Sequence, residues 1–175
     1  MSEHPWRTDA ALAGKFHPSY PDDLQILVHD GEPRRTGRQP ELCWVRILGV
    51  EKGPARPLLA GEEQAPDTLR RAVYVAQLLN QPQQLTSVVQ GDPVRFFADP
   101  GGQHLFTVTA EYLAERAEWQ IQPCQSCGLC EGLDPPSVMA ATRFSGAEVV
   151  PIMFTSRCPL CGGTQLLKHM DAPAR

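Results

Sequence analysis

Two short cysteine pairs constrain this chain more than anything else in it. Cys124-Gln125-Ser126-Cys127-Gly128 and Cys158-Pro159-Leu160-Cys161-Gly162 both read C-x2-C-G, with thirty residues between Cys127 and Cys158. A C-x2-C turn aims two sulfurs at one point, and the following glycine lets the backbone bend until its amides face them. Two such knuckles predict one tetrahedral thiolate centre built from Cys124, Cys127, Cys158 and Cys161, with zinc as the expected metal. Catalytic zinc keeps a position for water, whereas four matched thiolates close the coordination sphere, so the expected role is structural. A module standing on such a centre buries little apolar surface, and metal binding supplies much of its folding free energy, on the order of 10 kcal/mol.

Cys130 extends the first pair to Cys124-x2-Cys127-x2-Cys130, three thiols where a knuckle uses two. Cys127 is followed by Gly128 as Cys161 is by Gly162, but Cys130 is followed by Glu131, so Cys130 is expected beside the centre and not in it. Two alternatives use it. The C-x2-C-x2-C run with a distant Cys158-Pro159 resembles the bacterial ferredoxin pattern, which implies an iron–sulfur cluster and leaves Cys161 without a role. Cys127-Gly128-Leu129-Cys130 resembles a thioredoxin-like dithiol, which implies thiol-redox chemistry but needs a helix at its first cysteine. Gly132, Pro135 and Pro136 oppose a helix there. Cys43, remote in sequence, reads as a small buried hydrophobe. The five histidines are scattered, with no H-x-x-x-H pair, and His169 reads as a surface residue.

At 175 residues and 42% hydrophobic content the chain can bury a real core, while seventeen prolines and fourteen glycines predict short elements and many turns. Residues 24–29, 41–50, 72–79, 94–97 and 104–109 read as strands. Within 41–50, Leu42, Trp44, Arg46 and Leu48 alternate with Cys43, Val45, Ile47 and Gly49, and two largely apolar faces place this strand centrally in a sheet. Residues 31–40 with Arg34, Arg35 and Arg38 read as a solvated loop, 52–66 as a connection, and 99–102 as a tight turn. Thr109 can cap a helix over 110–119, with Tyr112, Leu113 and Ala117 inward and Glu111, Glu115, Arg116 and Glu118 outward. Strand-like residues 137–144 and 147–154 form a predicted hairpin on the knuckles, with 164–169 as a third strand, and this resembles a zinc ribbon. The expected fold is α+β, mostly β: an arm (1–23), a small antiparallel sheet or barrel with one short helix (24–119), and a zinc-ribbon-like module (120–171).

Trp44-Val45-x-Ile47, Ala76-x-Leu78-x-Asn80-x-Pro82-x-x-Leu85 and Gly91-Asp92-x-Val94-x-Phe96 together resemble a bacterial domain family of unknown function whose relatives look like immunity proteins of toxin systems. The resemblance spans about half the chain, departs at Ala76 where glycine is expected, and implies a compact β-rich binding module. Charge separates the function classes further. Residues 1–120 carry 12 Lys+Arg against 16 Asp+Glu and residues 121–175 carry 4 against 4, so the cysteine module has no basic face for phosphates. No apolar run reaches the roughly 18 residues of a membrane span, and the N-terminal residues lack a secretory pattern, so the expected compartment is the cytoplasm. Nucleophile elbows, phosphate loops, dinucleotide fingerprints and His-Glu-x-x-His are missing, and the acidic pairs Asp22-Asp23 and Glu62-Glu63 read as solvated. The sequence points to a non-catalytic bacterial module that binds another protein. A nucleic-acid-associated zinc ribbon is the alternative, and a thiol-redox or iron–sulfur protein the second.

Overall fold

A computed structural model describes residues 4–55, 57, 70–98 and 104–173. The expected 99–102 turn and most of the 52–66 connection lie outside them. The chain divides into two compact units, Met1–Lys52 with Ala72–Thr109, and Gly53–Arg71 with Ala110–Arg175.

The first unit is a mostly antiparallel sheet that closes on itself. Its strands are β1 (Phe16–His17), β2 (Tyr20–Val28), β3 (Glu41–Ala55), β4 (Arg70–Leu78), β5 (Pro93–Ala98) and β6 (Leu105–Thr107), hydrogen-bonded in that order. An additional parallel pairing, Leu27↔Phe106, joins β2 to β6. That direction follows from parity: in a meander of five strands the first and last run the same way, so closure can only be parallel. Every strand expected in this region is present.

Alternation decides which side chains fill the barrel. The register pairs Leu24 with Val45 and Ile26 with Cys43, and these four, with Val28 and Ile47, are essentially sealed from solvent. The other face of β3 is open, with Leu42 59% and Leu48 58% exposed, so a central strand here has one wet face despite its apolar composition. Cys43 takes the predicted role of a buried hydrophobe, and burial raises its thiol pKa. The residues that carry the family resemblance hold this barrel together. Val45, Ile47, Ala76, Leu78, Leu85 and Phe96 are core. Asn80 Oδ1 accepts the Trp44 amide at 2.7 Å. Gly91 turns at φ +93°, a backbone state that favours glycine, and Asp92 Oδ2 accepts the Val89 amide at 2.9 Å.

The segment expected as an arm is tied to this core. Trp6 and Leu12 are buried in it. The indole of Trp6 and the guanidinium of Arg7 both donate to Asp22, and Asp9 caps a short turn while accepting the Tyr74 hydroxyl. Asp22 and Asp23 are therefore not simply solvated. Arg7 offsets the burial of Asp22 and brings its carboxyl down to about 2, and Arg46 grips Asp23 through two bonds of 2.7 and 2.9 Å. The polar loop at 31–40 contains one helical turn, α1 (Pro33–Thr36).

A buried histidine braces the closing seam. The His29 amide donates to Thr107 Oγ1 (3.1 Å), its Nε2 donates to the Thr107 carbonyl (2.6 Å), and its Nδ1 accepts the Gly31 amide (3.0 Å). This set of bonds selects the neutral Nε2-protonated ring, and burial lowers its pKa.

The second unit holds α2 (Ala110–Glu115), a 3-10 turn (Arg116–Glu118), β7 (Trp119–Ile121), α3 (Pro136–Arg143), β8 (Met153–Arg157) and β9 (Thr164–His169). Its sheet is ordered β7-β9-β8 and antiparallel throughout. The predicted third strand at 164–169 is present, but the strand expected at 137–144 is a helix. Pro136, Met139 and Ala140 are buried and Phe144 half-buried, a spacing of three and four that only a helix puts on one face, and Pro136 sits at its permitted first turn. The hairpin is β8–β9, with the Cys158–Cys161 knuckle as its turn.

Candidate metal centre

The two knuckles adopt the same backbone. In the first, the Gly128 amide donates to the Cys124 carbonyl (2.9 Å) and the Cys124 amide to the Leu129 carbonyl (2.8 Å). In the second, Gly162 donates to Cys158 (2.9 Å) and Cys158 to Gly163 (2.6 Å). Gly128 and Gly162 turn at φ +76° and +75°, the left-handed geometry for which glycine follows each pair. β7 delivers the first knuckle and β8 the second. Between them β9 carries the ladder onward, its Thr164 carbonyl accepting the Gln125 amide at 3.2 Å.

All four predicted sulfurs converge. Those of Cys124, Cys127, Cys158 and Cys161 lie within 4.8 Å of one another, a group able to hold a metal ion. Two close approaches cross between knuckles, Cys124 to Cys161 at 3.5 Å and Cys127 to Cys158 at 3.6 Å. Metal–sulfur bonds of about 2.3 Å give a regular tetrahedron with edges of about 3.8 Å, a length that lies inside the observed spread of 3.5 to 4.8 Å. Amides support the sulfurs: Ser126 N–H points at Cys124 Sγ and Gly163 N–H at Cys161 Sγ, both at 3.4 Å.

The thiols resist ionising together. Burial works to raise Cys124, but the amides of Cys127 and Ser126 and the neighbouring thiols outweigh it and bring it down to about 6. Burial dominates at Cys158 and, with hydrogen bonding to the Cys127 and Cys161 thiols, pushes it up to about 12. Cys127 is raised by burial as well. A cation at the centre would let these sulfurs ionise together.

Cys130 and the histidines stay outside. The Cys130 sulfur is not in the group, so the three-thiol run does not converge as a ferredoxin-like site demands. His169 packs edge-on to Trp119, with Glu118 and Asp171 carboxylates 3.7 and 3.6 Å from its ring nitrogens. Among the described residues no histidine or carboxylate joins the four sulfurs.

Sequence reasoning missed the two groups that position the first knuckle. One is Gly163. A Cβ there would stand 2.7 Å from both Cys124 Sγ and Ser126 Oγ, so only glycine fits against the sulfur, and the Gly162-Gly163 doublet was the readable sign. The other is a sealed ion pair. Arg116, expected to face outward, is buried together with Glu131 and grips it through Nε (2.6 Å) and Nη2 (3.1 Å). The Tyr112 hydroxyl donates to the same carboxylate, and Arg116 Nη1 donates to the Trp119 carbonyl at 2.6 Å. Gln165 on β9 donates to the Leu129 and Glu131 carbonyls (2.7 and 3.1 Å), fastening the loop that leaves the knuckle. Burial works against the Arg116 cation, but the Glu131 charge outweighs it and raises its pKa. Ala117, expected inward, is exposed in exchange.

No helix is long and apolar enough to cross a membrane among the described residues. No protein-family model, curated protein or solved structure matches this chain.

Proposed function

We propose that Cys124, Cys127, Cys158 and Cys161 hold one zinc ion as a structural clamp in a non-catalytic, protein-binding chain. The observation that carries this reading is the convergence of four sulfurs within 4.8 Å of one another, with no other donor beside them among the described residues. Four thiolates satisfy the metal, so its contribution goes to folding the unit that packs Trp119, Ile121, Met139, Ala140, Phe154 and Leu167 into one cluster. Recognition of another protein is supported by Val149, Val150 and Ile152, which expose 79%, 44% and 45% of their surface in one short stretch before β8. An immunity-like role, binding a toxin and blocking it, is the concrete form suggested by the resemblance through Trp44, Asn80 and Gly91-Asp92.

Elemental analysis of the purified protein beside Cys124→Ser and Cys158→Ser tests the clamp. One zinc per wild-type chain, with loss of both metal and near-ultraviolet dichroism in the variants, is the expected result. A wild-type chain that folds equally well after chelation, or one that carries iron and acid-labile sulfide, would reject it. Co-expression with any toxin encoded beside the gene tests the immunity form, and toxicity that persists rejects that form alone.

A further inference from the structure

The outer face of the barrel carries a hollow of about 420 Å³. That is within the range of small-ligand sites, about 300–1,000 Å³. Its apolar lining is Leu27 and Leu42, paired across β2 and β3, with Trp44 one register step away and Leu105 from the start of β6. Topology creates it. β2 is paired with β1 at Leu24 and with β6 at Leu27, and Gln25 lies between these two pairings, where the chain is handed from one neighbour to the other. Trp44 is held on its outer side by the His17 ring, edge-on at 5.2 Å.

The polar lining has one sign. Lys15, Gln25 and His104 line the hollow, and no acidic side chain does among the described residues. Among the described residues the Lys15 ammonium and the Gln25 carboxamide have no hydrogen-bond or ionic partner. Carboxylates on the flanking strands are occupied elsewhere: Asp22 by Arg7, Asp23 by Arg46, and Glu41 by the amides of Gln83, Gln84 and Leu85. A cation and an amide donor without partners therefore face the same space as an indole and three leucines.

We propose that this hollow binds a small amphipathic carboxylate, with an aromatic body against Trp44, Leu27 and Leu42 and its carboxylate at Lys15 and Gln25. Each partner matches the chemistry it meets: the ring covers apolar surface that water now touches, and the anion receives a charge-assisted hydrogen bond from Lys15. The site is independent of the metal centre.

Phenylacetate is a suitable probe, titrated into the full chain by calorimetry with phenylacetamide as its neutral match. Saturable binding is expected for the acid, with affinity at least about 10-fold weaker for the amide. Lys15→Met should reduce acid binding by a similar factor and bring it level with the amide, while Lys15→Arg retains it. Trp44→Leu should weaken both probes, with circular dichroism confirming that each variant folds. Equal affinity for acid and amide, undiminished binding by Lys15→Met, or no saturation below roughly 10 mM would each overturn the proposal.

Discussion

Gly163→Ala offers the sharpest test of how the metal centre is built. A Cβ at this position would stand 2.7 Å from Cys124 Sγ, 2.7 Å from Ser126 Oγ and 3.0 Å from Ser126 Cβ. Ordinary contact between such atoms is about 3.5–4.0 Å, so the sulfur must retreat by roughly 1 Å. A zinc–thiolate bond tolerates about 0.2 Å. The sulfur cannot yield freely, because it already stands 3.5 Å from Cys161 Sγ. Overpacking of this kind costs about 1–3 kcal/mol, equivalent to roughly a 5- to 150-fold loss of zinc affinity. Competition against a chromogenic chelator would read the affinity, and melting curves with and without EDTA would separate loss of metal from loss of fold. Two companions isolate the cause. Gly162→Ala meets no atom within 4 Å but must adopt φ +75°, so it carries backbone strain of about 1–2 kcal/mol without pushing on sulfur. Ser126→Ala in the Gly163→Ala background relieves the hydroxyl and leaves the sulfur contact in place. If Gly163→Ala binds zinc as tightly as wild type, or if Ser126→Ala restores it fully, the close approach to Cys124 is not what fixes glycine at 163.

Three further outcomes follow from the same contacts. Arg116→Leu strands the Glu131 carboxylate in a sealed site and should cost about 3–5 kcal/mol in urea unfolding, and a double Arg116→Leu/Glu131→Leu variant should recover part of it. Because burial lowers the His29 pKa below 6.5, the unfolded chain takes up this proton first. Stability from His29 is therefore complete above about pH 6.5 and declines as pH falls below it, by at most about 1.4 kcal/mol per unit. Urea midpoints across pH should show that slope, and His29→Gln should remove it. Cys130→Ser should keep one zinc per chain by elemental analysis, and loss of the metal would place Cys130 in the centre after all.

Where alternation or spacing encodes the outcome locally, the sequence was readable. The alternation of β3 separated Cys43, Val45 and Ile47 from Leu42, Trp44 and Leu48 without saying which set faces inward, and the paired C-x2-C-G turns marked the four converging sulfurs and set them apart from Cys130. What escaped was set by partners distant along the chain. Arg116 reads as a surface residue on a short helix, and nothing near it announces that Glu131, fifteen residues on, will neutralise it out of water. Asp22 likewise acquires its role from Arg7 and Trp6. The error at 137–144 was of another kind. Val138, Met139 and the alanines suit either element, and the burial of Met139 and Ala140 in the cluster of Trp119 and Phe154 decided for the helix.

The seam of the barrel has a consequence for how the chain closes. Each strand from β3 to β6 adds to the one before it, but β2 and β6 meet only when residues 78 apart, His29 and Thr107, come together. Closing a loop of that length costs about 4 kcal/mol of chain entropy. Against that cost the described residues of the seam offer one register pair and two hydrogen bonds from His29 to Thr107, so most of the entropy must already have been spent by the meander that brings the ends near. Assembly in sequence order is the cheap route for such a barrel, and the reverse of that route is how it would come apart: the parallel seam first, the antiparallel wall after it.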